Sequence, residues 1–462
     1  MLKWNDHWHV LQIEEHTYDL QDVAEPELYR DVFPYDSVPR VPFNMRRVPM
    51  MPPEDIWITD TTFRDGQQAR PPYTVKQIVD LYEMLHRLGG TRGYIRQCEF
   101  FLYTKKDKEA VARCRELGYR YPEITGWIRA NKEDFHLVKE MGLKETGILT
   151  SCSDYHIFLK LKKKRSEAMA MYLDIVKAAL DEGIIPRCHF EDATRADFYG
   201  FVVPFAQRLM ELSREYGMPV KIRVCDTLGL GVPYSGAAMP RSVPGLIYGL
   251  IRYSGIPSEW IEWHGHNDFC KVLANAATAW LYGCAVANGT LLGLGERTGN
   301  APVEGLVMEH ISLKGDDNAF DTTVITEIAD YYRKEIKLDI PPDKPFVGSH
   351  FNVTCAGIHA DGILKNEEVY NIFDTRKILG RPPGVAITDK SGVAGICLWV
   401  ANRFDRTVDK KHPGILKVKE EIDRQFEEGR VTVISDEEML ELLRAHVPEL
   451  FEPHVGAGGS RE

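Results

Sequence analysis

From about residue 56 the apolar positions alternate between two periods. WITDT at 57–61 is a short unbroken apolar run of the kind a buried strand needs, and VKQIVDLYEMLHRLGG at 75–90 repeats apolar residues at helical spacing before ending on glycines. The same alternation continues through YIRQCEFFL and KEAVARCRELG, EITGWI and DFHLVKEMG, TGILTS and RSEAMAMYLDIVKAALDEG, IIPRCHFE and AQRLMELSREYG. It closes with VKIRVCD and SVPGLIYGLIRYSG, WIEWHGH and DFCKVLANAATAWLYG, and AVANGTLLG and VEGLVMEHISLKG. Eight strand-helix units between about 56 and 315 predict an α/β fold. A doubly wound sheet would show the same rhythm, but a count of eight favours closure into a TIM (β/α)8 barrel. In a closed barrel the chemistry belongs at the C-terminal ends of the strands, where the loops gather.

The flanks lack this rhythm. Residues 1–55 are acidic and then Pro-rich (FPYDSVPRVPF, VPMMPPED), and are read as an N-terminal arm packed on the catalytic barrel of 56–315. Residues 316–400 form a small α-rich subdomain, with the helical stretch TTVITEIADYYRKEI and the loop FVGSHFNVTCAGIHADGILK. Residues 401–462 form a helical, charged C-terminal region whose last eight, Gly-rich residues are expected to be disordered.

Composition narrows the function classes. At 44% hydrophobic and 27% charged residues the chain of 462 buries a large core, and a net charge of −11 argues against a broad footprint on nucleic acid or anionic lipid. No apolar run approaches the roughly 18 residues of a membrane span, and the start MLKWNDHWHVLQIEEH is unlike a secretory leader, so a cytoplasmic location is expected. The nine cysteines stand singly with no CxxC pair, which favours reduced, buried thiols over a disulfide or zinc framework.

Three polar clusters fall where strands end: Asp60-Thr61-Thr62-Phe63-Arg64-Asp65-Gly66-Gln67-Gln68 after strand one, His264-Gly265-His266-Asn267-Asp268 after strand seven, and Gly295-Glu296-Arg297-Thr298-Gly299-Asn300 after strand eight. Histidines at i and i+2 on a strand project to one face, so His264 and His266 can share an ion, with Asp65 as a carboxylate from another strand and Asn300 as an amide oxygen. Such a mixed, open site suits Mg²⁺, Mn²⁺, Co²⁺ or Zn²⁺ rather than a closed thiolate centre. Arg64 is placed either to donate to a carbonyl oxygen gaining charge or to form a structural salt bridge. Glu191, at the end of strand five, reads equally as an acid-base group or as a helix-capping partner. The glycines of LGLGER and DTLGLG lack the full phosphate-loop pattern, and KLKKKR at 160–165 reads as a solvated face before it reads as a coenzyme-phosphate contact.

DTTFRDGQQ, HGHND and GERTGN, in that order, resemble the signatures of the metal-dependent Claisen condensation and lyase family, which includes 2-isopropylmalate, homocitrate and citramalate synthases and 3-hydroxy-3-methylglutaryl-CoA lyase. The likeness spans roughly 56–400 and implies a TIM barrel with C-terminal subdomains, metal ligands at Asp65, His264 and His266 with Asn300 nearby, and a polarising arginine at Arg64. It also implies catalytic roles for Glu191, for His359 in AGIHADGILK and for Tyr370 in EEVYNIFD, which favours a synthase over a lyase. Thr227 in CDTLG matches a substrate-contacting threonine, and Gln68 joins it as a substrate-binding candidate.

Two positions depart from the family pattern: Gln67 replaces the usual acid, and Arg70 stands where small residues are common. FRDGQQARPPYT, IRQCEFFLYTKKD, ILTSCSDYHIFLKL and HFEDATRADFYGF most resemble the Re-type citrate synthase branch. The resemblance therefore implies an acyltransferase that condenses acetyl-CoA with oxaloacetate, in a homodimer with shared sites. The second carboxylate of oxaloacetate needs a cationic partner, for which Arg70, Arg96, Arg129 and Arg195 are candidates. The alternatives are the same chemistry on another 2-oxo acid, a metal-dependent lyase, or a biotin-dependent carboxyltransferase, against which stands the lack of a biotin-acceptor MKM segment. A non-catalytic barrel would be expected to lack a metal ligand, and none of the candidates is missing.

Overall fold

The fold is described from a computed structural model, for residues 2–6, 10–13, 17–316 and 318–452. The final eight residues, expected to be disordered, lie outside the described residues. The chain falls into two compact units, 1–321 and 322–462.

In the first unit, eight parallel strands close into a barrel: β1 (Trp57–Asp60), β2 (Ile95–Phe101), β3 (Glu123–Ile128), β4 (Glu145–Ser151), β5 (Ile185–Glu191), β6 (Lys221–Asp226), β7 (Ile261–Gly265) and β8 (Val286–Gly289), with β8 pairing back onto β1. Helices alternate with them: α1 (Val75–Leu88), α2 (Lys105–Glu116), α3 (Phe135–Glu140), α4 (Arg165–Asp181), α5 (Val203–Tyr216), α6 (Val243–Ser254), α7 (Val272–Leu281) and α8 (Val303–Lys314). This is the TIM barrel expected from the apolar periods. Helix starts follow local chemistry: Thr74 and Thr104 accept from the backbone N–H groups of Gln77 and Asp107, and those side chains reach back in reciprocal capping boxes. Gly217, Gly255 and Gly315 end α5, α6 and α8 in the left-handed conformation. No helix is long and apolar enough to cross a membrane among the described residues. All nine cysteines are free, and seven are buried.

The arm is tied to the barrel by backbone and side-chain bonds. Glu27 N–H donates to Asp154, Tyr155 donates to the Leu28 carbonyl, and Arg165 to that of Gln21. Val32 and Phe33 pack with Leu230, beside Leu228 and Phe269, on the loops that follow β6 and β7.

What fills the barrel is unusual. Outward strand positions such as Ile58, Cys98, Ile148, Phe190, Val224 and Trp263 are apolar and buried, as a helix-covered sheet requires. The inward positions are largely polar: Thr59, Gln97, Glu99, Thr125, Glu145, Arg187, His189, Arg223, Glu262 and Asn288. A barrel interior is more often layered with branched aliphatic residues. Here Arg223 spans between Glu262 (2.6 Å) and Glu99 (2.9 Å), Arg187 between Glu99 (2.6 Å) and Glu145 (2.8 Å), and Lys221 reaches Glu145 (2.5 Å). Burial alone would raise the Glu99 carboxyl, but Arg223, Arg64, His189 and Arg187 outweigh it and hold the group well below its usual range.

The second unit is helical: α9 (Val324–Lys334), α10 (Gly357–Lys365), α11 (Thr375–Leu379), α12 (Gly392–Phe404), α13 (Pro413–Glu427) and α14 (Asp436–His446). Two short strands, β9 (Val353–Thr354) and β10 (Gly384–Val385), pair in parallel. Ile396, Val400, Ile415, Val418, Ile422, Met439 and Leu443 form one core from α12–α14, so the packing runs continuously across residue 400.

Removing Arg223 leaves two sealed carboxylates short of a cation. Arg223→Met is expected to cost about 3–5 kcal/mol, read as a lowered urea midpoint. Arg223→Met/Glu262→Gln should recover part of the loss, and a single variant as stable as the wild type would contradict the pairing described.

Candidate metal and substrate site

The loop after β1 is shaped before it does any chemistry. Asp60, sealed at the strand end, accepts from the Thr62 N–H (3.0 Å) and hydroxyl (2.6 Å) and from the Cys98 thiol (3.1 Å), and burial pushes its carboxyl up to about 6. This turn delivers Arg64 and Asp65 to the C-terminal mouth. Arg64 Nε donates to Glu99 (2.8 Å) and Nη1 to Asp65 (2.8 Å), while the guanidinium lies 5.5 Å from the Trp127 ring centroid. Nη2 makes no hydrogen bond among the described residues.

Asp65, His264 and His266 converge, with donor atoms all within 4.8 Å of one another and all three side chains buried. Asp65 Oδ2 accepts from Asn300 Nδ2 at 2.6 Å and lies 3.8 Å from His266 Nε2. The Asn288 amide donates to the Thr59 hydroxyl (2.9 Å), which turns its oxygen toward His264 Nδ1 at 2.8 Å. That bond puts the proton on Nδ1 and leaves the Nε2 lone pair for a ligand, the outer support a metal-binding imidazole needs.

Two buried polar atoms, His266 Nδ1 and Asn300 Oδ1, have no hydrogen-bond partner among the described residues. Buried polar atoms are seldom left so, and here they sit among ligand-type groups. Burial, reinforced by Arg223 and Arg64 and opposed by Asp65, pushes His264 down to about 3, and His266 is lowered chiefly by burial. For Asp65 burial works upward, but Arg64, His264 and His266 outweigh it and lower the carboxyl. A neutral imidazole pair beside an ionised carboxylate is the donor state that a divalent cation binds.

Across the mouth, the C-terminal ends of β4 and β5 make a second cluster. Glu191 accepts from the Ser151 hydroxyl, and its Oε2 lies 3.0 Å from His156 Nδ1 and 3.6 Å from Lys160 Nζ. Burial raises the Glu191 carboxyl, but the His156 and Ser151 hydrogen bonds and the charge of Lys160 dominate and hold it at about 2. Glu191 is therefore an ionised partner of His156 within this unit, not a helix cap. Sequence reasoning passed over His156; a histidine five residues beyond a barrel-strand end is the signal it offered. It sits in a π-helical turn, Tyr155–Lys160, closed by the Leu161 N–H on the His156 carbonyl (2.8 Å), a local form common at functional sites.

Thr227 lies at the rim after β6. Its hydroxyl accepts from the Asp192 N–H (2.8 Å) and its carbonyl from Arg297 (2.5 Å), which also grips Asp268 at 2.8 Å. The loops after β5, β6, β7 and β8 are thus cross-braced. The Gly-rich DTLGLG turn is an Asp226-capped loop, with the Leu230 and Gly231 N–H groups donating to that carboxylate.

The four candidate arginines separate. Arg96 is corrected: it lies at the N-terminal start of β2, stacked over Trp57 at 4.2 Å, on the end of the barrel away from the mouth. Arg129 pairs with Asp134 (3.3 Å) and is largely exposed, and Arg195 pairs with Asp192 (2.8 Å) and stacks on Tyr155. Arg70 lies 3.9 Å over the Tyr73 ring, with Nε and Nη1 buried and unpartnered. Gln67 bridges the Phe63 carbonyl and the Tyr73 N–H, so an amide does what an acid could not do at both ends. Gln68 is exposed. In the second unit, His359 on α10 and Tyr370 are exposed and lie against each other, with ring centroids 4.3 Å apart and planes tilted by 39°.

Comparison with known proteins adds a family to this geometry. Residues 55–331 match the model of the HMGL-like family. The chain is 61% identical over 459 residues to the citrate (Re)-synthase of Syntrophus aciditrophicus, covering 98% of this chain and 73% of that protein. It is 55% identical over 439 residues to the citrate (Re)-synthase of Clostridium kluyveri, covering 94% and 97%. It is 37% identical over 445 residues to the 2-phosphinomethylmalate synthase of Streptomyces hygroscopicus, covering 95% and 100%.

Because the folded Glu191 carboxyl lies below the ordinary 4.5, its contacts stabilise the protein fully above about pH 4.5 and fade as pH falls toward 2. The stability difference between wild type and Glu191→Gln in urea titrations should therefore be largest near neutrality and shrink through that window. A difference that grows on acidification would contradict the ionised pair.

Proposed function

Since the chain belongs to the HMGL-like family, we propose that it condenses acetyl-CoA with oxaloacetate and hydrolyses the resulting thioester, releasing citrate and CoA. It is an acyltransferase of the citrate (Re)-synthase type, and the identity to two such enzymes over nearly its whole length supports oxaloacetate over other 2-oxo acids. The observation that carries the chemistry is the convergence of Asp65, His264 and His266 beside Arg64 at the C-terminal mouth.

Asp65, His264 and His266, with Asn300 adjacent, would hold a divalent cation, Mn²⁺, Co²⁺, Mg²⁺ or Zn²⁺, and Asn288 would fix the ligating tautomer of His264. Such an ion supplies Lewis acidity toward a bound 2-oxo acid. The chain's own groups do the rest. Arg64, gripped by Glu99 and Asp65, presents Nη2 to the keto oxygen as it gains negative charge. Taking a methyl proton from acetyl-CoA needs a base near the attacked carbon. His359, with Tyr370 against it, is the base or its relay, and ionised Glu191 with His156 orients the proton path from the barrel side. Thr227 and Gln68 contact substrate from the rim, and among the cations Arg70, with two unmatched N–H groups, suits a second carboxylate better than Arg129 or Arg195. The protein works as a cytoplasmic homodimer in which His359 and Tyr370 of one copy serve the barrel of the other.

Release of CoA from acetyl-CoA should be fastest with oxaloacetate when 2-oxoisovalerate, 2-oxoglutarate and pyruvate are offered in parallel, and preference for any of those three overturns the substrate assignment. Arg64→Ala should lower kcat by roughly 10²–10³-fold in protein that is still folded, and should also lower the urea midpoint, because it unpairs the buried Glu99 and Asp65 carboxylates.

Shared sites predict complementation. Inactive Arg64→Ala and His359→Ala proteins, unfolded and refolded together, should regain part of the wild-type activity, because mixed dimers carry one intact site. No gain over the separate proteins would place all the groups in one chain.

A further inference from the structure

On the flank of the barrel, away from the strand ends, the arm and α6 enclose a cavity of about 410 Å³ that opens to solvent. That is the size of a small-molecule site. Arm residues 44–48 form one side, held there by the Asn44 N–H on the Gly236 carbonyl (3.1 Å) and the Ala238 N–H on the Pro42 carbonyl (2.8 Å). Segment 235–239, α6 and the end of α7 form the others.

The lining is chemically one-sided. Three cations, Arg46, Arg47 and Arg252, share it with the aromatic hydroxyls of Tyr199, Tyr253 and Tyr282, and no Asp or Glu contributes. In a chain of net charge −11 this is a local reversal of sign. Arg46 hydrogen-bonds Tyr199, and neither Arg46 nor Arg47 forms an ion pair among the described residues. Clustered guanidinium groups without carboxylates recognise phosphate oxygens, often in paired bonds, and tyrosine faces provide stacking surface for a flat ring. We propose that this cavity binds a nucleoside phosphate.

The site is distinct from the catalytic mouth yet shares an element with it. Segment 235–239 belongs to the loop that begins at Thr227 on the rim and is closed on itself by the Val232 N–H on the Arg241 carbonyl (2.9 Å) and the Val243 N–H on the Val232 carbonyl (3.1 Å). An occupant of the cavity therefore touches the far end of a catalytic loop.

The test is calorimetric titration of the full-length protein with ATP, CoA and inorganic tripolyphosphate. Saturable ATP binding that falls at least tenfold in Arg46→Ala/Arg47→Ala, with kcat/KM for condensation unchanged, supports the site. The charge reversal Arg47→Glu, on an exposed arm residue, should weaken ATP in the same way and guards against a misfolded double variant. CoA binding that falls in these variants together with kcat/KM for condensation makes the cavity part of the substrate site and overturns the proposal of a distinct one. Lack of saturable binding by both nucleotides, equal affinity in wild type and variants, or tripolyphosphate binding as tightly as ATP overturns the proposal.

Discussion

The geometry of the mouth depends on one buried negative charge. Glu99 takes Arg64 on one oxygen and Arg187 on the other, with Arg223 in reach of both. A carboxylate out of water is tolerable only when it is paired and fully hydrogen-bonded, and each partner guanidinium carries the same obligation. The network therefore has little freedom to rearrange. Its upper member, Arg64, arrives at the strand ends already oriented, fixed through Nε on Glu99 and Nη1 on Asp65. The usual aliphatic filling would pack the barrel as well but would leave Arg64 to find its own place. The interior is thus both core and scaffold for the site.

Much of this was legible in the sequence. Strand and helix periods are local properties, so the eight units and nearly all of their limits could be read from apolar spacing alone; VKQIVDLYEMLHRL became α1 with Thr74 as its cap. The two histidines were legible for the same reason, since i and i+2 on a strand share a face whatever the rest of the chain does. Asp65 and Asn300 were offered as a carboxylate and an amide from other strand ends, and closure brings them in, since β8 lies between β1 and β7. What escaped depends on pairing between distant positions. Arg223 and Glu99 are 124 residues apart, and nothing in either segment announces that they meet. His156 was hidden because a π-helical turn has no simple apolar signature. Arg96 was misplaced because it stands at the start of its strand, Ile95–Phe101, rather than at its C-terminal end: near a strand end is not the same as near the correct end.

The two halves of the mouth have different electrostatic characters. On the β1, β7 and β8 side, neutral imidazoles face an ionised aspartate, a donor set suited to a doubly charged cation. On the β4 and β5 side, Glu191 and Asp192 are surrounded by His156, Lys160 and Arg195, so negative charge there is already matched.

The braces formed by Thr227, Arg297 and Asp268 tie three adjoining loops into a stiff arc, while Arg70, Trp127 and His156 stand on segments outside those braces. Changes around Trp127 and His156 accordingly leave these braced loops, and the His264–His266 pair beside them, in place.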